Sequence, residues 1–249
     1  MKKLTTGFFM CWGMFCIIPN PCKKWDETLY PYMLVSLPLL GLLLGALWAL
    51  AARLFSLAAA PPLLGAAVLA AFPGVITGFI HLDGYMDCAD AILSRRDMTA
   101  RRKILKDPHV GSFAVICLVL LALLSTALFF EGVPERCELC LLFIPSVSRS
   151  VAAFSVLSFQ PLETSGYSVM YSGTRKRRFS VACAVFAVVL ALVSVLFSGF
   201  RGLCAAASLF GTLFAALWGR RQLGGMSGDI SGAAITIGEL CGVAVLTLV

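Results

Sequence analysis

The sequence predicts an all-α protein: a polytopic integral membrane helical bundle of about seven transmembrane helices, N-terminus cytoplasmic. Three observations predict it. Of 249 residues, 59% are hydrophobic and only 13% charged, with a strongly positive mean hydropathy, too oily for an ordinary water-soluble globule. The apolar runs are about 16–21 residues long, enough to cross a hydrocarbon core of about 30 Å at 1.5 Å per residue. The basic residues gather on alternate connections between those runs. No stretch has the composition of a separate soluble unit, so residues 1–249 read as a single membrane domain.

Taken in order, the N-terminal MKKLTTGFFMCWGMFCIIPNPC opens like a signal peptide, with two lysines before an apolar stretch. No small-residue cleavage site follows, and Pro19 and Pro21 interrupt the run, so a retained interfacial or re-entrant segment is expected. Spans are expected at 31–51, 61–80, 112–130, 138–157, 180–198, 203–218 and 233–249. Pro61, Pro62 and Pro73 weaken the second. Residues 81–111 keep helical composition with no Gly or Pro between Tyr85 and Asp107, which predicts a helix continuing into the cytoplasm. Residues 158–179 are Gly/Ser-rich and end in a basic cluster at 175–178, as a flexible loop with a membrane-surface anchor would. No internal repeat is present, which gives an inverted-repeat transporter no support.

Under seven spans, sixteen of the twenty Lys and Arg fall on the N-terminal side of the membrane, leaving Arg53, Arg136 and Arg201 opposite and Arg149 within the fourth span. This is the positive-inside bias, and it places the N-terminus and residues 81–111 in the cytoplasm. The net charge of +7 therefore does not indicate a nucleic-acid partner, since no aromatics are interleaved with the basic runs to stack on bases. Of the ten cysteines, Cys88, Cys117, Cys183, Cys204 and Cys241 sit in or beside apolar runs as small hydrophobes. Only Cys137 and Cys140, in CELC, have ligand-like spacing, and no second pair accompanies them.

The chemistry concentrates where the second run ends, in FIHLDGYMDCADAILSRRD. At 100° per residue, Asp83, Asp87 and Asp90 lie at 0°, about 40° and about −20°, on one helix face. Carboxylates so placed repel one another and are costly near lipid. A divalent cation relieves both problems, and oxygen-only ligands select Mg²⁺ over zinc. Arg95, Arg96, Arg101, Arg102, Lys103 and Lys106 follow, ending in KDPHVGS. Metal-binding acids beside a basic segment suit phosphoryl transfer. Lys106, next to Asp107 and Pro108, is the favoured catalytic cation. Arg149 needs a partner or ligand within its span. The C-terminal segment 224–239, GGMSGDISGAAITIGE, carries Asp229 and Glu239 among small residues that permit close packing on the Asp-bearing helix.

These motifs, HLDGYMDCADA, KDPHVGSF, the intramembrane SR and GDISGAAITIGEL, occur in an order that resembles the cobalamin synthase family, adenosylcobinamide-GDP ribazoletransferase. FCIIPNP near the start is similar to that family's early proline-containing stretch. The resemblance implies a Mg²⁺-dependent membrane transferase of cobalamin nucleotide-loop assembly. It would join adenosylcobinamide-GDP to α-ribazole, or its 5′-phosphate, and release GMP. Carried over, His81, Asp83, Asp87, Lys106 and Arg149 become catalytic and Asp107 binds substrate; Arg95, Arg96, Arg102 and Lys103, from the basic segment itself, are expected to bind substrate phosphates. Asp83, Asp87, Asp90, Asp229 and Glu239 become metal ligands. The sequence departs from the family at Thr236, Ile18, Cys88 and Ala91. Thr236, where a second glutamate often stands, leaves the number of C-terminal carboxylates open.

Two other readings are open on the residues alone. A CDP-alcohol phosphatidyltransferase-like enzyme also uses membrane-edge aspartates, but Asp87 and Cys88 stand where its Ala and Arg would be. A cation or proton-coupled transporter would bury acids mid-span in several helices, whereas these gather at one membrane edge. The expected location is the cell (inner) membrane with the active site facing the cytoplasm. Partners are the two substrates and the lipid bilayer, with homo-oligomers or association with other cobalamin-pathway enzymes as open possibilities.

Overall fold

A computed structural model describes residues 2–132, 138–162 and 176–249. Arg136, Cys137, Arg175 and most of the connection expected at 158–179 lie outside the described residues. Eleven α-helices run through the described chain. The first, α1 (Lys2–Phe15), turns Gly7, Met10, Cys11 and Phe15 inward, the spacing of a one-sided apolar stripe. The N-terminal segment is thus a docked helix, packed on α2 (Tyr30–Val35).

The span expected at 31–51 is divided into α2 and α3 (Leu37–Leu57). Pro38 brings no N–H to continue the helical ladder, and the Ser36 hydroxyl donates back to the Tyr32 carbonyl at 2.8 Å. The span expected at 61–80 also breaks. α4 (Pro62–Ile76) is followed by α5 (Ile80–Leu93) after a bend of 92°. Gly78 and Phe79 make that bend with φ of 61° and 63°. Glycine adopts this left-handed conformation freely; for Phe79 it costs about 1–2 kcal/mol.

The expectation of one helix continuing through 81–111 is corrected. α5 stops at Leu93, and α6 (Met98–Ile104) starts afresh behind Asp97. The cause is local polar competition. Thr99 and Ala100 N–H groups donate to the Asp97 carboxylate at 2.9 and 3.0 Å, and the Ser94 hydroxyl takes the Ala91 carbonyl at 2.8 Å. Such side chains favour caps over helix interiors even without Gly or Pro. Those backbone bonds hold the exposed Asp97 carboxyl below the usual aspartate range.

The remaining helices are α7 (Ser112–Glu131), α8 (Cys140–Ser158), α9 (Lys176–Ser198), α10 (Leu203–Leu223) and α11 (Gly228–Leu248). α8 is the central rod, with Val147, Ala152 and Ala153 wholly buried. α3 crosses it closely, because Cβ atoms at Gly41 and Gly45 would lie 2.6 and 2.8 Å from α8 backbone atoms. By contrast, α7 exposes Val119, Leu120, Leu123 and Leu124, and α10 exposes Phe210 and Phe214. An exterior this apolar requires a hydrocarbon surround. Five helical stretches among the described residues are long and apolar enough to cross a membrane, or six if the bent pair of α4 and α5 is one span. The protein is a polytopic helical bundle of the membrane class. One of the five stretches is the 47-residue run 177–223, which takes in α9 from Arg177 onward and all of α10.

At one end of the bundle several junctions meet. Met226 N–H donates to the Gln160 carbonyl and Leu162 N–H to the Met226 carbonyl, both at 2.8 Å, tying the end of α8 to the start of α11. Arg102 of α6 reaches the end of α10 there, and Asp90 of α5 the start of α7.

Candidate active site

The crossing of α5 over α11 builds the site. A Cβ on Gly84 would lie 2.8 Å from Asp229 Cα, and one on Gly232 would lie 3.0 Å from the His81 carbonyl oxygen. Only side-chain-free residues permit this approach. It brings together carboxylates more than 140 residues apart in sequence: Asp87 feels the charges of Asp83, Asp229 and Asp90, and Asp229 feels Asp83. Asp83 is exposed and lines an open hollow of about 580 Å³ between the end of α1 and the α4–α5 bend. Asp229 sits in the first turn of α11, where the helix dipole favours an anion. The Ser227 hydroxyl donates to it at 3.3 Å.

Asp90 shares the face but has a further task. Gly111 N–H donates to its Oδ2 at 2.6 Å and Ala114 N–H to its Oδ1 at 2.9 Å. Its carboxylate thereby caps α7, satisfying N–H groups that the helix start leaves without partners. A Cβ on Gly111 would lie 2.5 Å from Asp90 Oδ1, which explains the glycine in KDPHVG.

Glu239 stands apart from the aspartates. It lies deep in the bundle, where it forms an ion pair with Arg149, and the Ser148 hydroxyl lies 3.3 Å from the same carboxylate oxygen. Arg149 also donates to the Pro145 carbonyl at 3.1 Å and is only 1% exposed. Arg149, one of the residues expected to be catalytic, and Glu239, one of those expected to bind metal, pair with one another, because a charge buried alone is far costlier than a pair. His81 is buried, its ring stacked on Phe15 with centroids 5.6 Å apart. Its Nε2 has no hydrogen-bond partner.

The basic segment divides by role. Arg102 Nε donates to the Leu223 carbonyl at 2.8 Å and its guanidinium to Gly224 O at 3.4 Å, so it caps the C-terminus of α10 where a cation meets the negative helix end. Arg101 donates to Gln222 beside it. Arg95, Arg96, Lys103 and Lys106 are exposed. Asp107 is exposed too and accepts from His109, at 3.0 Å from the backbone N–H and 2.6 Å from Nδ1. The ring contact, followed by the backbone bond, lowers its carboxyl below the usual range.

Among the described residues no three His, Cys, Asp or Glu side chains converge as a ready metal cage. The donor set still fits Mg²⁺, which commonly takes one or two carboxylates and completes its shell with water and substrate phosphate. Asp83, Asp87 and Asp229 are all oxygen donors that repel one another when bare. The sequence reading missed Gly111, whose place in KDPHVGS was a usable signal. It also missed Phe79, which borders the Asp83 hollow. The Arg101 and Arg102 partners lie some 121 residues away, and nothing local in the sequence signals them.

Known proteins of one family match the chain along nearly its whole length. The family model described as cobalamin-5-phosphate synthase matches residues 7–247. An adenosylcobinamide-GDP ribazoletransferase of Clostridium perfringens (strain 13 / Type A) is 33% identical over 252 residues, covering 100% of both chains. One of Clostridium botulinum (strain Alaska E43 / Type E3) is 32% identical over 97% of each, and one of Geobacillus kaustophilus (strain HTA426) 30% identical over 96% of this chain and 94% of its own. No solved structure matches the chain. With the motifs in order and the match spanning nearly every helix, the chain belongs to the cobalamin-5-phosphate synthase family of membrane transferases.

Proposed function

We propose that the chain joins adenosylcobinamide-GDP to α-ribazole, or its 5′-phosphate, and releases GMP. The observation that carries this reading is the α5–α11 crossing, which sets Asp229 against the Asp83 and Asp87 face in a chain matched end to end by ribazoletransferases. Those relatives favour it over a CDP-alcohol enzyme or a transporter. The ribazole hydroxyl attacks the cobinamide-side phosphorus, the new O–P bond forms, and the bond to GMP breaks. The hydroxyl proton passes to a carboxylate of this cluster. Asp83, Asp87 and Asp229 would hold Mg²⁺, which when bound neutralises phosphate oxygens and the leaving group. Asp90 fixes the start of α7 beside the site, while exposed Lys103, Lys106, Arg95 and Arg96 attract the anionic substrate. Alignment and electrostatics supply the rate.

The reading also has a topology. The 47-residue run 177–223 would be about 70 Å long if straight, more than twice a hydrocarbon core of about 30 Å. Its chain folds back at Gly202, which touches Ser194 and Val195. Counting α9 and α10 separately, and α4 with α5 as one span, gives seven crossings with the basic connections and the aspartates cytoplasmic in an inner membrane. A membrane-impermeant thiol reagent is expected to reach Arg101→Cys only from the cytoplasmic side; labelling from outside overturns the orientation. The reaction is tested with purified protein, Mg²⁺, adenosylcobinamide-GDP and α-ribazole. GMP release that is lost in Asp83→Asn is expected; no release, or release unchanged in that variant, refutes the reading.

A further inference from the structure

A second cavity, of about 240 Å³, lies within the bundle between α4, α5, α7 and α11. Trp48, Phe129 and Val243 make its walls apolar, and His81, Ser125, Thr126, Thr236 and Glu239 line it too. Two of those polar groups are committed. Glu239 is paired with Arg149, and the Thr236 hydroxyl donates to the Gly232 carbonyl at 3.1 Å. His81 is not: its Nε2 is buried with no partner. A mostly apolar hollow bordered by a buried polar atom without a partner suits a ligand better than a packing defect.

We propose that this cavity binds the aromatic base of the nucleoside acceptor, with His81 as its polar contact. The inference rests on the transfer reaction proposed above and names the place of one substrate. An apolar cavity of about 150 Å³ accepts benzene, and the larger volume here suits the fused bicyclic ring of a benzimidazole. A lipid acyl chain would fit the walls but leave the imidazole nitrogen unpaired. A heterocycle offers it a ring nitrogen, and a nucleoside adds hydroxyls. The position relative to the reaction centre is also right. Phe79 lines this cavity on one side and the Asp83 hollow on the other, and its ring packs back toward Gly74. A base held against Trp48 leaves its sugar to pass Phe79 toward Asp83, where the hydroxyl reacts. Ala67, Ala71 and Ala122 line the cavity and are exposed, so it opens sideways between α4 and α7 toward the bilayer, a route open to a lipophilic base.

The test uses the full chain in lipid nanodiscs. Benzimidazole alone is titrated against tryptophan fluorescence, since Trp48 lines the cavity, and KM is measured for each substrate separately. Ala70→Phe and Ser125→Leu fill the cavity from α4 and from α7. Each is expected to abolish the quenching and raise KM for α-ribazole about tenfold or more, leaving KM for adenosylcobinamide-GDP and the melting temperature unchanged. His81→Phe, which keeps a ring against Phe15, is expected to raise KM for α-ribazole while preserving the melting temperature. An unchanged KM for α-ribazole in both filled variants overturns the proposal, as does quenching that persists in them. Quenching of Trp48 by brominated lipid that benzimidazole fails to displace assigns the cavity to acyl chains and also overturns it. None of these results touches GMP release by the wild-type protein, so the subsite and the reaction stand or fall separately.

Discussion

Gly84→Ala is the sharpest test of how the site is assembled. The added methyl would sit 2.8 Å from Asp229 Cα and 2.8 Å from its carbonyl oxygen. Both are backbone atoms, so no side chain can swing aside. Restoring a carbon–carbon contact of about 3.5–4.0 Å requires α5 and α11 to part by roughly 0.7–1.2 Å. Overpacking of this kind costs about 1–3 kcal/mol, and a misplacement of about 1 Å at a reaction centre costs on the order of 10²-fold in rate. The expected result is GMP release reduced about 100-fold in kcat, with a folded protein of lower melting temperature. Gly65→Ala is the control. Its methyl would meet only the Phe55 ring, at 3.6 Å, and a helix-interior alanine gains roughly 0.5–1 kcal/mol over glycine. Wild-type kcat in Gly84→Ala would show that Asp229 does not need its place against Asp83 and Asp87, and would refute the assembly of the site at this crossing.

Three other outcomes follow from the geometry. Asp90→Asn keeps one acceptor but turns an NH₂ toward a backbone N–H, so thermal stability should fall by about 1–3 kcal/mol, and hydrogen exchange should quicken at Gly111 and Ala114. Unaltered exchange there would mean that Asp90 does not cap α7. Removing one partner of the Arg149–Glu239 pair should destabilise by about 3–5 kcal/mol, while Arg149→Met with Glu239→Leu should recover much of it; a double variant less stable than either single one contradicts a structural pair. Arg102→Ala should lower the melting temperature without changing KM for adenosylcobinamide-GDP, because its guanidinium is spent on the end of α10. A rise in that KM would return it to the substrate.

The class of the protein and the identity of its acids could be read from residues in order, because membrane insertion and helical periodicity are set by local composition. The run from Phe79 to Asp97 placed Asp83, Asp87 and Asp90 on one face, and α5 keeps them there. Local chemistry also misled. The stretch 81–111 has neither Gly nor Pro after Tyr85, yet Ser94 and Asp97 bond to nearby backbone and stop the helix, a competition that composition alone does not weigh. The tertiary structure decided where each charge sits and what it meets. Asp229 joins the aspartates because Gly84 and Gly232 let two helices touch. Glu239 does not, because ten residues along α11 carry it deep into the bundle, where Arg149 would otherwise be an unpaired cation. Arg102 became a helix cap through a contact across 121 residues, a distance over which sequence patterns carry no signal, since only folding brings its ends together.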